Sequence, residues 1–288
     1  METKQEILQA ISKIPLLSPS VSQLLAVTSD ADFEMAKLIS IIKHDAALTA
    51  RVLQVVNSAA YSLPVPAGSV DQAVSMLGAR LLVSIALSDS GDGLFGKPLD
   101  GYENGGIGIW RHDLFCAIAA RRIGFCTRDD FNPDLAFTGG LLHDIGKTVV
   151  SRFLDGSCAS LLSDIRQEKR EDYLDGEKQL LGMDHTEVGY ELAKHWRLPR
   201  ELQDAIRYHH WPAASDEPSR QLCYAIHLGD MLTMMAGYGT GSDSLQYQLD
   251  MGYKAYFDLE EEKLDRIILE SAEEFTELEA VMASVMDG

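Results

Sequence analysis

The chain has 288 residues, and 44 acidic residues set against 25 Lys and Arg give it a formal net charge of −19. Its 46% apolar and 24% charged content is ordinary for a globular protein and excludes wholesale disorder, and at about 100–200 residues per domain the length suits one large domain or two small ones. So acidic a surface repels phosphate backbones and anionic lipid heads, so neither nucleic acid nor a membrane is expected as the main ligand.

No run of 18 apolar residues is present, and the opening METKQEILQA lacks the basic-then-apolar pattern of a signal peptide, so a cytoplasmic protein is expected. Adjacent basic residues occur only as the pairs Arg121-Arg122 and Lys169-Arg170. Cys116, Cys126, Cys158 and Cys223 are far apart and form no CxxC pair, which reads as reduced thiols rather than a disulfide frame or a cysteine zinc site.

In chain order, Pro15, Pro19, Pro64 and Pro66 punctuate the first stretch into short helices. Leu48, Val52, Val55 and Val56 recur as one buried helix face, with Asp45 placed to cap its first turn. Ser69 stands likewise before Val70, Val74 and Leu77, and Gly78 offers a stop. No segment alternates with period two long enough for a strand. Residues 1–100 therefore read as an N-terminal helical subdomain. Seven glycines in the eighteen residues from Gly91 to Gly108 rule out a regular helix, since each interior Gly costs about 1 kcal/mol relative to Ala. This stretch is expected to be a joint that lets two packed units shift by small rotations.

Helical periodicity resumes at Trp110 and runs to about Ala236, broken near Asn132-Pro133 and around Trp211–Pro218, so residues 101–236 form a second helical subdomain. A glycine-rich loop from Gly237 to Gly241 opens an acidic tail, 237–288. From Phe257 onward the tail holds eleven acids against two bases, while Leu264, Ile268, Phe275, Leu278, Met282 and Val285 keep helical spacing. A terminal helix packed on the core with a solvated acidic face is expected; a partner-binding helix is the alternative. The fold class is all-α.

The chemistry concentrates in the histidines, eight in all. In Gly139-Gly140-Leu141-Leu142-His143-Asp144-Ile145-Gly146-Lys147 an imidazole adjoins a carboxylate late in an apolar helix. Both groups cost several kcal/mol to bury unless paired or bound to metal. Neighbours on a helix diverge by about 100°, so further ligands must come from other helices. His112 lies 31 residues upstream, and His185, His209, His210 and Asp230 lie downstream. A buried hydrogen-bonded pair without metal is the plain alternative for His143-Asp144. His44, His195 and His227 read as satisfied core histidines and Cys116 as packing. Asp184 can cap the helix after it, which would leave His185 structural. Lys147 can snorkel to solvent or neutralise Asp144.

His112, then His143-Asp144, then Asp230 resembles the ligand order of the HD superfamily of metal-dependent phosphohydrolases, and the whole chain resembles the HDOD family of bacterial signalling output domains. The likeness also rests on Ile14-Pro15, on the stretch from His44 to Leu53, on Asn57-Ser58-Ala59, on Ala73 to Gly78, and on Trp110-Arg111-His112. Further on it rests on His185-Thr186-Glu187-Val188-Gly189, Trp196, Leu198-Pro199 and His209-His210, and it covers roughly residues 10 to 235.

The resemblance implies a helical HD-like bundle, often placed after a receiver or other sensor module. By motif order it places His112, His143, Asp144, His185, His209, His210 and Asp230 at metal-ligand positions of the related HD-GYP phosphodiesterases. Lys147 then falls at a phosphate-contacting position. Mixed imidazole and carboxylate ligands suit Fe, Mn, Ni or Zn, as one or two divalent ions. Two departures count against cyclic-dinucleotide hydrolysis: Trp211-Pro212-Ala213-Ala214 follows His210 where a GYP motif would stand, and Gly108 falls where those enzymes carry a bridging acid. The expected function is a signal-transduction output domain that acts through a protein partner. The alternative is a phosphohydrolase of a nucleotide, cyclic dinucleotide or phosphomonoester, with Asp144 and Lys147 as its catalytic residues.

Overall fold

Helix boundaries in the N-terminal half fall where capping chemistry puts them. The computed structural model describes every residue except 1, 59, 60, 62, 64, 89, 91–93, 95–98, 103–108, 128, 129, 155, 168–171, 245, 287 and 288, and no side chains at 2 and 282–286. Helices α1 (Glu2–Lys13), α2 (Pro19–Thr28), α3 (Met35–Lys43), α4 (Ala46–Val56) and α5 (Val70–Ser88) form the first half. Pro19 opens α2 behind Ser18, whose side chain accepts the Val21 amide. Asp45 caps α4 by accepting from Leu48 N at 3.0 Å, and Ser69 accepts from Gln72 N at 3.3 Å.

Gly78 is a kink rather than a stop: with φ 69° and ψ 168° it breaks the helical path, which then resumes to Ser88. Helix α5 is long and apolar enough by composition to cross a membrane, although Asp71, Gln72 and Arg80 interrupt any unbroken apolar run. Its apolar stretch is 67% buried within the fold, so Leu81, Leu82 and Ile85 belong to the core. Of the sequence readings, Ala59, Pro64, Gly108, the pair Lys169-Arg170 and most of the glycine-rich joint lie outside the described residues. Within that joint, Leu94 and Leu99 are buried.

The second half comprises α6 (Trp110–Gly124), α7 (Pro133–Leu142), α8 (Lys147–Leu154), α9 (Cys158–Arg166), α10 (Tyr173–Leu181), α11 (His185–His195), α12 (Arg200–Tyr208) and α13 (Arg220–Met235), followed by α14 (Glu261–Met286). Helices α7 and α13 both pack on α6, and small residues let them come close. A side chain at Gly140 would stand 2.6 Å from the Cα of Ala117, and one at Gly229 would meet Ala120 N at 3.0 Å. The fold is all-α: among the described residues there is no strand, only an isolated bridge between Thr127 and Phe257.

Helix α14 packs on α4, α5, α6 and α13. Buried Phe275 lies 5.7 Å from the Phe115 ring and 4.7 Å from the Tyr238 ring, an anchor worth about 1.5–3 kcal/mol. The acidic face is only partly solvated. Arg122 pairs with Glu270 at 2.5 Å and Glu274 at 2.8 Å, Arg111 pairs with Glu279 at 2.7 Å, and Arg80 pairs with Glu274. Pairs this exposed add at most about 1 kcal/mol each, so they fix register more than stability. The Met282 and Val285 side chains lie outside the described residues.

Candidate metal centre

The turn between α7 and α8 carries His143, Asp144 and Gly146. Any side chain at Gly146 would collide with the His185 carbonyl oxygen and stand 2.7 Å from Gly189 N, so glycine there lets the turn abut the start of α11. That contact sets Asp144 beside His185. Asp184 caps α11 in a reciprocal capping box with Glu187, and His185, the first residue of that helix, is buried beside Asp144. His112 comes from α6, His209 and His210 from the end of α12, and Asp230 from α13.

All seven sequence-predicted residues converge around Asp144, and each is at most 7% exposed. His112 Nε2 stands 3.1 Å from Asp230 Oδ1 and 3.7 Å from Asp144 Oδ2, and His143 Nε2 lies 3.6 Å from the same Asp144 oxygen. The other Asp144 oxygen, Oδ1, faces His185 Nε2 at 3.3 Å and His209 Nε2 at 3.5 Å. His210 Nε2 is 3.2 Å from His185 Nε2. Two ligand groups result, one on each side of Asp144.

Four rings have their tautomers set from behind. His112 Nδ1 donates to Tyr238 O (2.6 Å), His143 Nδ1 to Gly140 O (2.8 Å) and His209 Nδ1 to Ile206 O (2.9 Å). Each carbonyl can only accept, so Nδ1 carries the hydrogen and Nε2 turns a lone pair into the site. His185 Nδ1 is held likewise by Glu177 Oε2 at 2.9 Å. The facing Nε2 atoms of His112 and His143, 3.3 Å apart, are therefore acceptor against acceptor unless a cation lies between them, whereas His210, whose Nδ1 has no partner, can donate from Nε2 to His185 Nε2 at 3.2 Å. His209 Nε2 has no hydrogen-bond partner, nor does either Asp144 oxygen by bond geometry. Orphaned donors to a cation on this scale fit a divalent metal.

The electrostatics agree. Burial pushes the Asp144 carboxyl up, but the Lys147 ammonium and His143 outweigh it and hold it well below the usual range. Asp230 is also depressed against its burial, by His112 and His143. Burial disfavours a charged His185, yet Glu177 and Asp144 raise it to about 10, whereas burial lowers His209 to about 4.

Lys147 does not snorkel. At 2% exposure it lies between Asp144 Oδ2 (2.7 Å) and Asp243 Oδ2 (2.6 Å). Asp243 and Glu177 escaped the sequence reading because neither sits in a motif or on a distinctive face. So did Asp113, beside His112, whose buried carboxyl has no hydrogen-bond partner, lies 3.9 Å from His143 Nδ1 in the same candidate ligand group, and is pushed by burial to about 8.

The plain histidine readings divide. His227 is a satisfied core residue, donating from Nδ1 to His209 O (2.7 Å) and accepting Asp250 N at 2.9 Å. His195 is partly buried against Ile14 O at 2.9 Å. His44 is exposed, since it ends α3 at the surface, and only caps Ser40 O at 2.6 Å. Cys116 is packing, fully buried in α6, and none of the four cysteines forms a disulfide.

The chain belongs to the HDOD domain family, whose model matches residues 14–212. Its fold is similar to that of a Marinobacter aquaeolei VT8 protein provisionally described as a signal transduction protein. The two are 22% identical with a TM-score of 0.75, over 100% of this chain and 66% of that one. It is also similar to a protein of Shewanella amazonensis SB2B provisionally described as a phosphohydrolase, at 23% identity and a TM-score of 0.59, covering 98% of this chain and 97% of that one. A curated relative, an uncharacterized protein of Treponema pallidum (strain Nichols), is 23% identical over 221 residues; these are 77% of this chain but only 42% of that relative's length.

Proposed function

We propose that the chain is a signal-transduction output domain that holds one or two divalent transition metal ions in its core and acts through a protein partner in the cytoplasm. One observation carries the reading: the seven candidate ligands are gathered and oriented, yet every member is buried and Lys147 is engaged by Asp243. Such a centre can hold metal, but in this conformation Lys147 has no free face for a phosphate.

His112, Asp113, His143 and Asp144 form one group that could hold an ion, and Asp144 with His185, His209 and His210 a second; Asp230, 3.1 Å from His112 and 3.8 Å from His143, would complete the first. Bound there, divalent ions supply Lewis-acid charge and acidify water. Asp144 contributes one oxygen to each side, and the carbonyls behind the imidazoles fix their direction. The partner would be a basic protein, steered by the field of a chain with net charge −19.

A second reading, a metal-dependent phosphohydrolase, is favoured by Asp144 standing between the two groups and by Lys147 one turn later. Screening protein of known metal content against a generic phosphodiester separates the two. No turnover, with specific capture of one cytosolic protein by wild type and Asp144→Ala alike, supports the output domain. Turnover by wild type that is lost in Asp144→Ala makes it an enzyme.

A further inference from the structure

Between α13, residues 249–259 and the start of α14 lies an open groove of about 1070 Å³, outside residues 14–212 that the family model matches. Leu232, Met235, Leu249, Met251, Leu264 and Ile268 line it with apolar surface, and Met235 and Met251 are 64% and 51% exposed. Methionine is flexible enough to repack around the side chains of another chain. The charged lining is one base, Lys254, against four acids, Asp258, Glu260, Glu261 and Asp265, all exposed. Lys263 pairs with Asp258 at 3.7 Å, while no described Lys or Arg pairs with Glu260, Glu261 or Asp265. Further along α14 the acids are matched: Glu270 and Glu274 by Arg122, Glu274 also by Arg80, and Glu279 by Arg111.

An apolar trough with unmatched carboxylates beside it fits an occupant that is apolar on one face and basic next to that face. Among the described residues no strand offers an open edge, so a helix laid into the groove is the recognition mode that remains. A small ligand is poorly served, because the charged groups stand exposed instead of buried and convergent. A second copy of this chain would bring the same acids and a net charge of −19 against them. The groove is also joined to the metal centre. Leu232 and Met235 share α13 with Asp230, which stands 3.1 Å from His112. Asp250, between Leu249 and Met251, donates its amide to His227 Nε2, and His227 Nδ1 donates to His209 O.

We propose that this groove is where the protein partner docks, and that the docking element is an amphipathic helix carrying Lys and Arg along the edge of its apolar face. The inference rests on the output-domain reading for the signal that the partner receives, and on the groove alone for what binds there. Apolar side chains spaced i, i+3, i+4 and i+7 on the partner helix would meet Met235, Met251, Leu264 and Ile268, and its bases would meet Glu260, Glu261 and Asp265.

The test is fluorescence anisotropy of the full chain against a labelled synthetic helix of about 18 residues, with Leu on one face and Lys on the other. It should bind wild type, and the same composition scrambled to destroy the apolar face should bind about tenfold more weakly or worse. Met235→Gln with Met251→Gln should weaken binding about tenfold by removing apolar contacts. Glu261→Lys with Asp265→Lys should weaken it about tenfold by reversing the unmatched charge. Asp32→Lys with Glu34→Lys makes the same change in net charge outside the groove and should leave affinity within about twofold. All six positions are exposed, so the variants are expected to fold, and circular dichroism checks each one. Equal binding of the scrambled helix, wild-type affinity in either groove variant, or an equal loss in Asp32→Lys with Glu34→Lys would overturn the proposal. So would a dimer of this chain that dissociates on Met235→Gln with Met251→Gln, because it would give the groove to a second copy. The output-domain reading fails separately, through phosphodiester turnover that is lost in Asp144→Ala, and that result leaves helix binding in the groove unchanged.

Discussion

His112 Nε2 and His143 Nε2 face each other at 3.3 Å, each with its Nδ1 hydrogen committed to a backbone carbonyl. Two lone pairs directed at one another call for a cation, and either a proton or a metal ion can supply it. In metal-free protein the acidic neighbours favour the proton: His143 is raised well above its ordinary value against its burial, with Cys116 and Asp144 as the largest opposing influences.

Metal uptake should therefore release protons. His185, raised to about 10, is largely protonated at neutral pH without metal, and a metal must displace that proton. Titration of metal-free protein at pH 7.5 in buffers of differing ionisation enthalpy should give about one proton released per ion or more, with affinity falling as pH falls. Uptake without proton release would contradict this.

Asp113 should make the metal-free protein less stable as pH rises. Its folded value of about 8 lies above the unfolded one, so the folded state binds the extra proton between about pH 4 and pH 8 and loses stability with each step upward. Asp113→Asn removes that slope and should stabilise the protein at pH 8 by about 1–3 kcal/mol. Urea denaturation of both forms at pH 5 and pH 8 reads the difference; parallel pH dependence would contradict it.

Lys147→Met should destabilise the chain by about 3–5 kcal/mol, because it leaves the buried Asp144 and Asp243 carboxylates uncompensated. Lys147→Met with Asp243→Asn should recover part of that loss. A loss below about 1 kcal/mol would mean that the ammonium is not the counter-ion of the pair.

Gly146→Ala should push the His143–Gly146 turn away from α11, since the new methyl meets the His185 carbonyl and Gly189 N. The expected result is reduced metal content together with a lower melting temperature, of the size that overpacking brings, about 1–3 kcal/mol. Unchanged metal content would show that Asp144 and His185 do not depend on this approach.

Much of this was legible in the sequence where a residue's role is local. Asp45 and Ser69 cap helices because a short polar side chain before an apolar periodic run has few other uses. The order of His112, His143-Asp144, His185, His209-His210 and Asp230 marked a cluster through its resemblance to the ligand order of HD-type proteins, with an imidazole beside a carboxylate late in an apolar helix as its local sign. Asp243 and Glu177 were not legible. Asp243 stands in a Gly-Thr-Gly-Ser-Asp-Ser loop with no periodicity, and Glu177 looks like any acid on an amphipathic helix. Only the path of the chain after α13 and the packing of α10 bring them to Lys147 and His185. The continuation of α5 beyond Gly78 was hidden for a similar reason: glycine signals an end, and burial of Leu81, Leu82 and Ile85 restarts the helix.

The most direct test of the account is elemental analysis of the full chain purified without chelator. The account predicts about one to two equivalents of transition metal per chain, falling in His143→Ala and Asp144→Ala. No bound metal, with stability unchanged in His143→Ala, would contradict it.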